Sequence, residues 1–489
     1  SVLKAGHHVK LTLKLSDDLL LDVAKVEIKK ETITSDIPMD WLPKPKVEAE
    51  GFENNILSFA ETETKTAILN LNTASALQDL KLKFTFGDPQ FSSLNDKDYL
   101  LSVPADKAEM ENVLGIVLPE IGVDKASLDL TSIVAKLRTD AGTTVENKIE
   151  VDVRANNRWS SEEIKGQENP SRVYTLRCNK PEMAVSVQPG NIWTKEFTID
   201  ELTVTTGDPE VIKSKLKYQY KEKSGGDDTW KDIQDMKVLF NEHPQNRSYQ
   251  VRAVYRDVVM TDAIDVELEN PVQLPNSGME EWHEEDQSDH KNLWFPFSQD
   301  LSLQWITNNL ETTNYRGESF CSASAVKRSE NKYNGNYAAL IRTIGHGVAN
   351  TNVGSFLGMN GSITGTHTIG ILSYSGDFQV RPTKVKFYYR YIPEGDDVGV
   401  IELKIENEDQ DQDVILYEAT NVVSKTEYQL YEIPINYMVE NVVATKLTLT
   451  LKSGSKHTNV VKAKVRGNGA DEHYGSELYI DDISLVYDK

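Results

Sequence analysis

The sequence predicts a mainly β protein made of several β-sandwich modules in a row. Apolar and polar residues alternate strictly in many short segments, which is the pattern of half-buried strands. Gly, Pro, Asn and Asp punctuate these segments as turn residues do in sandwiches and barrels. Helical spacing is scarce and is confined to 105–117 and 128–137. The clearest alternating segments are 8–15, 67–71, 80–84, 148–153, 400–405 and 446–451.

A chain of 489 residues is too long for one hydrophobic core, since domains usually hold about 100–200 residues. Polar stretches rich in turn residues lie at 156–172 and again around Pro271. They predict three modules, at 1–160, 170–270 and 271–489. The first is β-rich with a small helical insert. The second has strands with aromatic residues at 216–221 and 248–255 and resembles fibronectin type III and other immunoglobulin-like sandwiches, so we expect two immunoglobulin-like modules before the third.

The charge of the chain argues against several classes of partner. Lys and Arg total 53 against 76 Asp and Glu, giving a net charge of −23. Such a surface repels phosphate backbones and anionic lipid headgroups, so we expect no nucleic-acid binding. The two cysteines, Cys178 and Cys321, fall in different predicted modules, and no disulfide is expected between them. The chain begins at Ser1 without a signal peptide, and we expect a mature or trimmed form.

The third module carries the most specific pattern, at its two ends. Residues 274–282 read LPNSGMEEW, and residues 475–487 read GSELYIDDISLVY. Together with YNGNYAAL at 333–340, these motifs resemble jelly-roll carbohydrate-binding modules, and above all the carbohydrate-metabolism domain at the C-terminus of exported proteins of gut Bacteroidetes. The resemblance implies a jelly roll with its first and last strands side by side. It also implies a carbohydrate ligand and a place outside the cell or on the outer membrane, with anchoring there through a lipid.

The same resemblance implies a structural calcium ion. In related jelly rolls, carboxylates at the two chain ends hold this ion, which carries over here to Glu280 with Asp481 or Asp482. Oxygen-rich ligand sets are what calcium prefers. The alternative is that one Asp makes a turn or caps backbone amides while the other is solvated. The acidic run 409–413 lacks the glycine of a calcium-binding loop and is interpreted as a solvated hairpin tip.

Recognition of a sugar needs an aromatic ring for its apolar face and polar groups for its hydroxyls. The third module offers such residues close together in sequence, although Trp305 fits the core of the sandwich more readily than a surface site. Trp294 stands among loop-like residues and is predicted to be an exposed platform. On a strand nearby, Tyr388, Tyr389 and Tyr391 alternate so that at least one faces outward. The predicted ligand-binding residues are Trp294, Trp305, Asn308, Tyr315 and Arg342.

No motif of catalysis stands out in this chain. There is no phosphate-binding loop, nucleophile elbow or metal-binding His pair, and no pair among the many carboxylates is singled out as a glycosidase would require. We therefore favour a non-catalytic, monomeric, surface or secreted glycan-binding protein. The alternatives are a structural or adhesive surface protein and an unrecognised glycoside-active enzyme. An exposed aromatic strip beside polar groups favours glycan, and a broad apolar patch favours adhesion.

Overall fold

The computed structural model describes residues 8–15, 21–29, 44–73, 75–163, 169–287, 290–298, 305–313, 323–349, 363–408, 413–439, 441–455, 462–465 and 471–489. They fall into two compact units, of which the first contains Ser1–Glu182 and Val204–Ile212 and the second contains Met183–Thr203 and Lys213–Lys489. Within the described ranges, no helix has the length and apolar character needed to cross a membrane.

The first unit contains a hairpin and, separately, two sheets that share one core. The hairpin pairs β1 with β2, a three-stranded sheet has the order β3-β5-β8, and the largest sheet has the order β4-β11-β9-β6-β7 with β10 beside β9. Both sheets contribute to the core through inward positions such as Leu69 and Val151. The strands are β1 (His8–Leu15), β2 (Leu21–Lys29), β3 (Lys46–Glu50), β4 (Ile56–Ala60), β5 (Ile68–Asn72), β6 (Asp79–Thr85), β7 (Asp98–Leu100), β8 (Lys125–Asp129), β9 (Val145–Ala155), β10 (Arg158–Trp159) and β11 (Val173–Asn179).

The predicted helical insert is confirmed in this unit. Helix α1 (Pro104–Glu109) begins with proline, which suits the first helical turn, and continues as a π-helix over Met110–Leu114 that ends at Gly115 with φ 71°. The second helix, α2 (Thr131–Val134), is shorter than predicted because β8 occupies residues up to Asp129. The N-cap residue is Leu130, and the carboxylate of Asp129 just before it accepts a hydrogen bond from the Thr131 amide at 2.8 Å. One more short helix lies at Pro89–Leu94.

The described chain from 183 to 268 is again built of short strands. Strand β18 is central to its main sheet and pairs antiparallel with β15 on one side and β20 on the other. The strands predicted at 216–221 and 248–255 are therefore confirmed. The elements are β12 (Met183–Ala184), β13 (Glu196–Thr198), β14 (Thr203–Val204), α3 (Pro209–Lys213), β15 (Leu216–Glu222), β16 (Lys231–Ile233), β17 (Lys237–Leu239), β18 (Ser248–Tyr255), β19 (Val259–Met260) and β20 (Ile264–Glu267), with one-turn helices at Pro189–Asn191 and Asp227–Thr229.

Two sheets packed face to face form the rest of the second unit, here called the C-terminal sandwich. The front sheet has the order β23-β27-β32-β29-β30, and the back sheet has the order β24-β25-β34-β28-β31, with β26 beside β25 and β33 beside β34. Its elements are β21 (His283–Gln287), β22 (His290–Phe295), β23 (Trp305–Thr307), α4 (Asn309–Thr312), β24 (Val326–Ser329), β25 (Ala338–Ala349), β26 (Ile363–Thr368), β27 (Ile371–Asp377), β28 (Lys384–Ile392), β29 (Gly399–Asn407), β30 (Val414–Val423), β31 (Gln429–Pro434), β32 (Lys446–Lys452), β33 (Lys462–Val465) and β34 (Asp471–Val486).

The alternation in sequence sets the two faces of these sheets. Along β32 every second residue is buried, and the same holds along β28. Inward side chains of the front sheet, such as Leu449, meet those of the back sheet, such as Phe387, in one core. The predicted fold class, mainly β with β-sandwiches, is confirmed.

The opening segment of the sandwich lies against its last strand, as the resemblance implies. The Ile483 amide donates to the Ser277 carbonyl at 2.8 Å. Gln273 pairs with Leu485 in the manner of a strand neighbour, since its side chain both accepts from the Leu485 amide and donates to the Leu485 carbonyl. The two end motifs therefore meet on the back sheet.

Candidate functional site

Trp305 belongs to the core of the C-terminal sandwich and not to a surface site. Its side chain is 1% exposed, and its indole N–H donates to the Pro275 carbonyl at 2.7 Å. The ring packs against Tyr374, with the ring centres 5.6 Å apart. The role of ligand contact predicted for Trp305 is thus corrected to core packing, because a buried ring offers no face to a sugar.

Trp294 is half-buried on β22 and is less open than predicted. The guanidinium carbon of Arg328 lies 4.9 Å from the centre of its ring, and the same guanidinium group lies 4.7 Å from the ring of Tyr337. This cation–π contact occupies one face of the indole. Trp294 is therefore part of a packed Trp–Arg–Tyr arrangement.

The other predicted ligand residues have different outcomes. Arg342 is 4% exposed, with its guanidinium carbon 5.2 Å from the ring of Tyr474, so it presents little surface to a ligand. Tyr315 lies outside the described residues. Asn308, by contrast, lines a cleft at the end of the front sheet, and it does so beside residues that the sequence did not single out.

This sheet-end cleft has a volume of about 340 Å³, at the lower end of the range for ligand pockets. Its apolar floor is formed by Ile369, Ile371 and Val400. Ile371 and Val400 both pair with Lys452, from either side of β32. The side chains of Ile371, Lys452 and Val400 therefore form one row across the outer face of the sheet. The remaining lining residues are polar or glycine and comprise Asn308, Glu311, Thr368, Glu402, Lys452, Gly454 and Ser455.

A carboxylate and an ammonium group stand side by side on the wall of this cleft. Lys452 donates to Glu402 at 2.6 Å, with both side chains partly exposed to solvent. Because they lie on neighbouring strands and point outward, the pair is held by the sheet itself. The cleft thus offers a hydrogen-bond acceptor and donor within one hydrogen-bond length of each other.

Hydrogen bonds between side chains and the backbone fix both rims of the cleft. Asn308 donates to the Ile369 carbonyl at 2.8 Å and accepts from the Ile371 amide at 2.9 Å. On the other rim, the buried carboxylate of Asp397 accepts from the Ser455 amide at 2.8 Å and from the Ser455 hydroxyl at 3.1 Å. A side chain at Gly454 would meet that carboxylate at 2.2 Å. The cleft is therefore preformed.

The three predicted calcium ligands meet around a loop at 331–337, on the back sheet. Asp481 accepts from the amides of Tyr333 and Asn334, at 2.8 and 3.0 Å, and Glu280 accepts from the Asn336 amide at 2.7 Å. The side chain of Asn334 donates to Asp482 at 3.1 Å.

The arrangement of the three carboxylates suits accepting hydrogen bonds better than binding a cation. The hydrogens of these N–H groups point at the oxygen lone pairs that a calcium ion would need. Among the described residues, no group of three or more His, Cys, Asp or Glu side chains is arranged to hold a metal ion. The arrangement matches the alternative in which an Asp caps backbone amides, and calcium binding stays a prediction.

The tyrosines of strand β28 alternate between the core and the outer face, as the sequence predicts. Tyr389 and Tyr391 are buried in the core, while Tyr388 faces outward on the back sheet. The sequence did not single out the residue that covers Tyr388, which is Tyr333 of the loop at 331–337.

Several solved structures to which this chain shows weak similarity are those of carbohydrate-binding modules. No family model matches it, and no curated protein does so. The solved structure of TmCBM61 in complex with β-1,4-galactotriose is 14% identical, with 38% of this chain and 88% of that chain covered, at a TM-score of 0.20. A family 11 carbohydrate-binding module from Clostridium thermocellum, in complex with a β-1,3-1,4-mixed-linked tetrasaccharide, is 11% identical. The match covers 39% of this chain and 92% of that chain, at a TM-score of 0.20.

A third solved structure, of carbohydrate-binding modules from the β-sandwich superfamily, is 10% identical. It covers 63% of this chain and 98% of that chain at a TM-score of 0.21. With TM-scores this low, the function has to be argued from the side chains of the cleft and not from these neighbours.

Proposed function

We propose that this protein binds carbohydrate without cleaving it, at the sheet-end cleft of the C-terminal sandwich. The observation that carries the proposal is the Glu402–Lys452 pair above an apolar floor. A sugar hydroxyl can donate and accept at once. Two hydroxyls on adjacent carbons can therefore bind the pair together: one donates a hydrogen bond to Glu402, and the other accepts one from Lys452.

The floor suits the remaining part of a sugar ring. Its C–H groups are apolar, and Ile371 and Val400 flank Lys452 on the sheet. Most of the exposed apolar area of the floor comes from Ile371, which is partly exposed, because Ile369 and Val400 are each 7% exposed. Contact with it removes apolar area from water, which contributes about 25 cal/mol per Å². Because both rims are held by hydrogen bonds to the backbone, little ordering is needed on binding, and this lowers the entropic cost.

Binding without cleavage fits the state of Glu402. A glycosidase uses one carboxyl as a proton donor and a second as nucleophile or base. Here the carboxylate of Glu402 is engaged by an ammonium group at 2.6 Å, an arrangement that suits recognition better than proton donation. From the sequence resemblance we further propose that the protein acts outside the cell or on the outer-membrane surface.

The test is a glycan array probed with the full chain, followed by calorimetric titration of Glu402→Gln and Lys452→Met with the glycan found. Loss of one hydrogen bond to a charged group should weaken binding roughly 10-fold. Lys446→Met is the matched control, because Lys446 lies on the same strand and outer face in an ion pair with Glu408 but outside the cleft. Equal losses in all three variants, or no binding to any glycan, would contradict the proposal and favour the structural or adhesive alternative.

A further inference from the structure

One aromatic ring of the C-terminal sandwich stands out in solvent on the side opposite the cleft. Tyr333 is 49% exposed, and among the residues that the structure describes it is the only exposed Phe, Tyr or Trp side chain. It is presented by the loop at 331–337, above the outer face of the back sheet. The sheet-end cleft lies on the outer face of the front sheet.

The Tyr333 ring is supported from below. It stacks on the ring of Tyr388, with the ring centres 3.5 Å apart and the planes inclined by 10°. Tyr428 flanks it, with the ring centres 6.2 Å apart, and the Tyr428 hydroxyl donates to the Asn331 carbonyl of the same loop at 2.8 Å. One face of the Tyr333 ring is therefore covered by Tyr388, and the exposed area belongs to the other face and the edges.

Buried and half-buried carboxylates fix the loop that carries this ring. Asp481 has no exposed surface, and its side chain accepts from the Tyr333, Asn334 and Asp482 amides. Glu280 accepts from the Asn336 amide, and the loop crosses Glu280 at a residue without a side chain, Gly335. Burying a carboxylate costs free energy unless hydrogen bonds replace water. These bonds therefore hold the loop in one conformation, with its ring pointing outward.

We propose that the Tyr333 ring is a second carbohydrate-binding surface, on which the C–H face of a pyranose ring stacks. This inference extends the proposed function to a second site, but it stands on different residues. A flat ring with a fixed orientation gives apolar contact at small entropic cost. Polar side chains border it, such as that of Asn334, whose amide group is within 3.1 Å of Asp482, and these suit sugar hydroxyls.

The size of the surface favours a sugar over a protein partner. Among the described residues, Leu430 adds exposed apolar area beside Tyr333 and Tyr388, because it pairs with Tyr388 across the sheet and is itself exposed. The next outward pair, Lys386 and Glu432, forms an ion pair at 2.7 Å. A stable protein interface buries about 800 Å² on each partner, which is far more than these three side chains offer. A single pyranose ring matches them.

Two sites on opposite sheets would have a consequence for affinity. One polysaccharide chain, or two neighbouring chains, could engage both surfaces at once. Linked binding events raise the effective affinity well above that of either site. The platform would thus convert weak binding of single sugar residues into retention of a polymer.

The experiment is a nuclear magnetic resonance titration of the full chain, labelled at tyrosine rings and at isoleucine and valine methyl groups. The probes are the methyl glycosides of β-glucose, β-galactose, β-xylose and α-mannose, raised to about 50 mM because single-ring contacts bind in the millimolar range. The Tyr333 signal is assigned with Tyr333→Phe. Methyl signals of Ile369, Ile371 and Val400 report the sheet-end cleft.

We expect at least one glycoside to shift the Tyr333 ring signal in a saturable way. The accompanying shifts of the neighbouring Tyr388 and Tyr428 ring signals should disappear in Tyr333→Ala but persist in Tyr333→Phe. A shift at Tyr333 alone would support the platform and overturn the cleft. Shifts confined to the cleft methyl groups would overturn the platform and leave the proposed function standing. No shift at either place would overturn both. An unchanged melting temperature of Tyr333→Ala confirms that the sandwich remains folded.

Discussion

The guanidinium carbon of Arg381 lies 3.8 Å from the centre of the Trp193 ring. Arg381 is buried in the second unit, where its Nε donates to Glu269 at 2.7 Å and its Nη1 donates to the Gly190 carbonyl at 2.6 Å. Trp193, Glu269 and Gly190 all precede the C-terminal sandwich in sequence, while Arg381 lies between its strands β27 and β28. One buried cation therefore ties the chain before residue 271 to the sandwich after it.

Removing this cation should be costly. We expect Arg381→Ala to lower the free energy of unfolding by about 3–5 kcal/mol, because it leaves the buried Glu269 carboxylate without its ion pair. Chemical denaturation followed by tryptophan fluorescence measures the loss. The control is the double variant Arg381→Met with Glu269→Gln, which removes both charges and keeps similar volume. If the double variant lost as much as Arg381→Ala, the uncompensated charge would not be the cause.

The fold was predictable because alternation in sequence is a local property. The segments at 400–405 and 446–451 form β29 and β32, and their alternation shows which residues face out. It does not show which strands are neighbours. Glu402 and Lys452 are 50 positions apart, and only the order of strands in the front sheet brings them together in the cleft. This is why the sequence singled out Asn308, which lines the cleft, but not the charged pair beside it.

The loop at 331–337 should depend on the absence of a side chain at Gly335. Its φ is 62°, and an added Cβ would lie 1.8 Å from the Glu280 carboxylate. Gly395 has a similar φ of 66° with nothing within 4 Å of the added atom. We expect both Gly→Ala changes to cost about 1–2 kcal/mol for the left-handed backbone. Gly335→Ala should cost a further 1–3 kcal/mol, roughly, from the clash.

The comparison of the two glycine variants isolates the contact with Glu280. Thermal unfolding gives the stability difference, and loss of the Tyr333 ring signal from its wild-type position reports the loop. Similar stability of the two variants would mean that the Glu280 side chain moves aside at little cost. In that case Glu280 would not contribute to holding the loop that carries Tyr333, and Asp481 would be its main anchor.

Calcium is the point at which the sequence resemblance and the hydrogen bonds disagree. If Glu280 and Asp481 serve backbone amides, neither EDTA nor added calcium should change the melting temperature. An ion bound at 100 times its dissociation constant would stabilise the fold by about 2.7 kcal/mol, which is a shift of several degrees. Differential scanning calorimetry with EDTA, with calcium and with magnesium as control decides the question. A rise with calcium alone would show that the loop reorganises around an ion.

The carboxyl of Asp481 should make stability depend on pH in a defined direction. Burial raises its pKa, although hydrogen bonds from the Asn334 and Tyr333 amides oppose this rise. A raised pKa means that the folded state holds the proton more tightly than the unfolded chain does. Ionisation of the Asp481 carboxyl therefore lowers the stability of the folded state. The contribution of this group is therefore fully present below the ordinary Asp pKa of about 3.9 and is lost as the pH rises through the raised pKa.

Asp481→Asn removes this titration, so its stability relative to wild type should change with pH. We expect the free energy of unfolding of the wild type, minus that of the variant, to fall as the pH rises from about 4 to neutral. Urea denaturation of both proteins at four or more pH values measures this difference. A difference that grew with pH would mean that the amides of the loop stabilise the carboxylate more than burial disfavours it, and that the pKa of Asp481 is lowered in the folded protein.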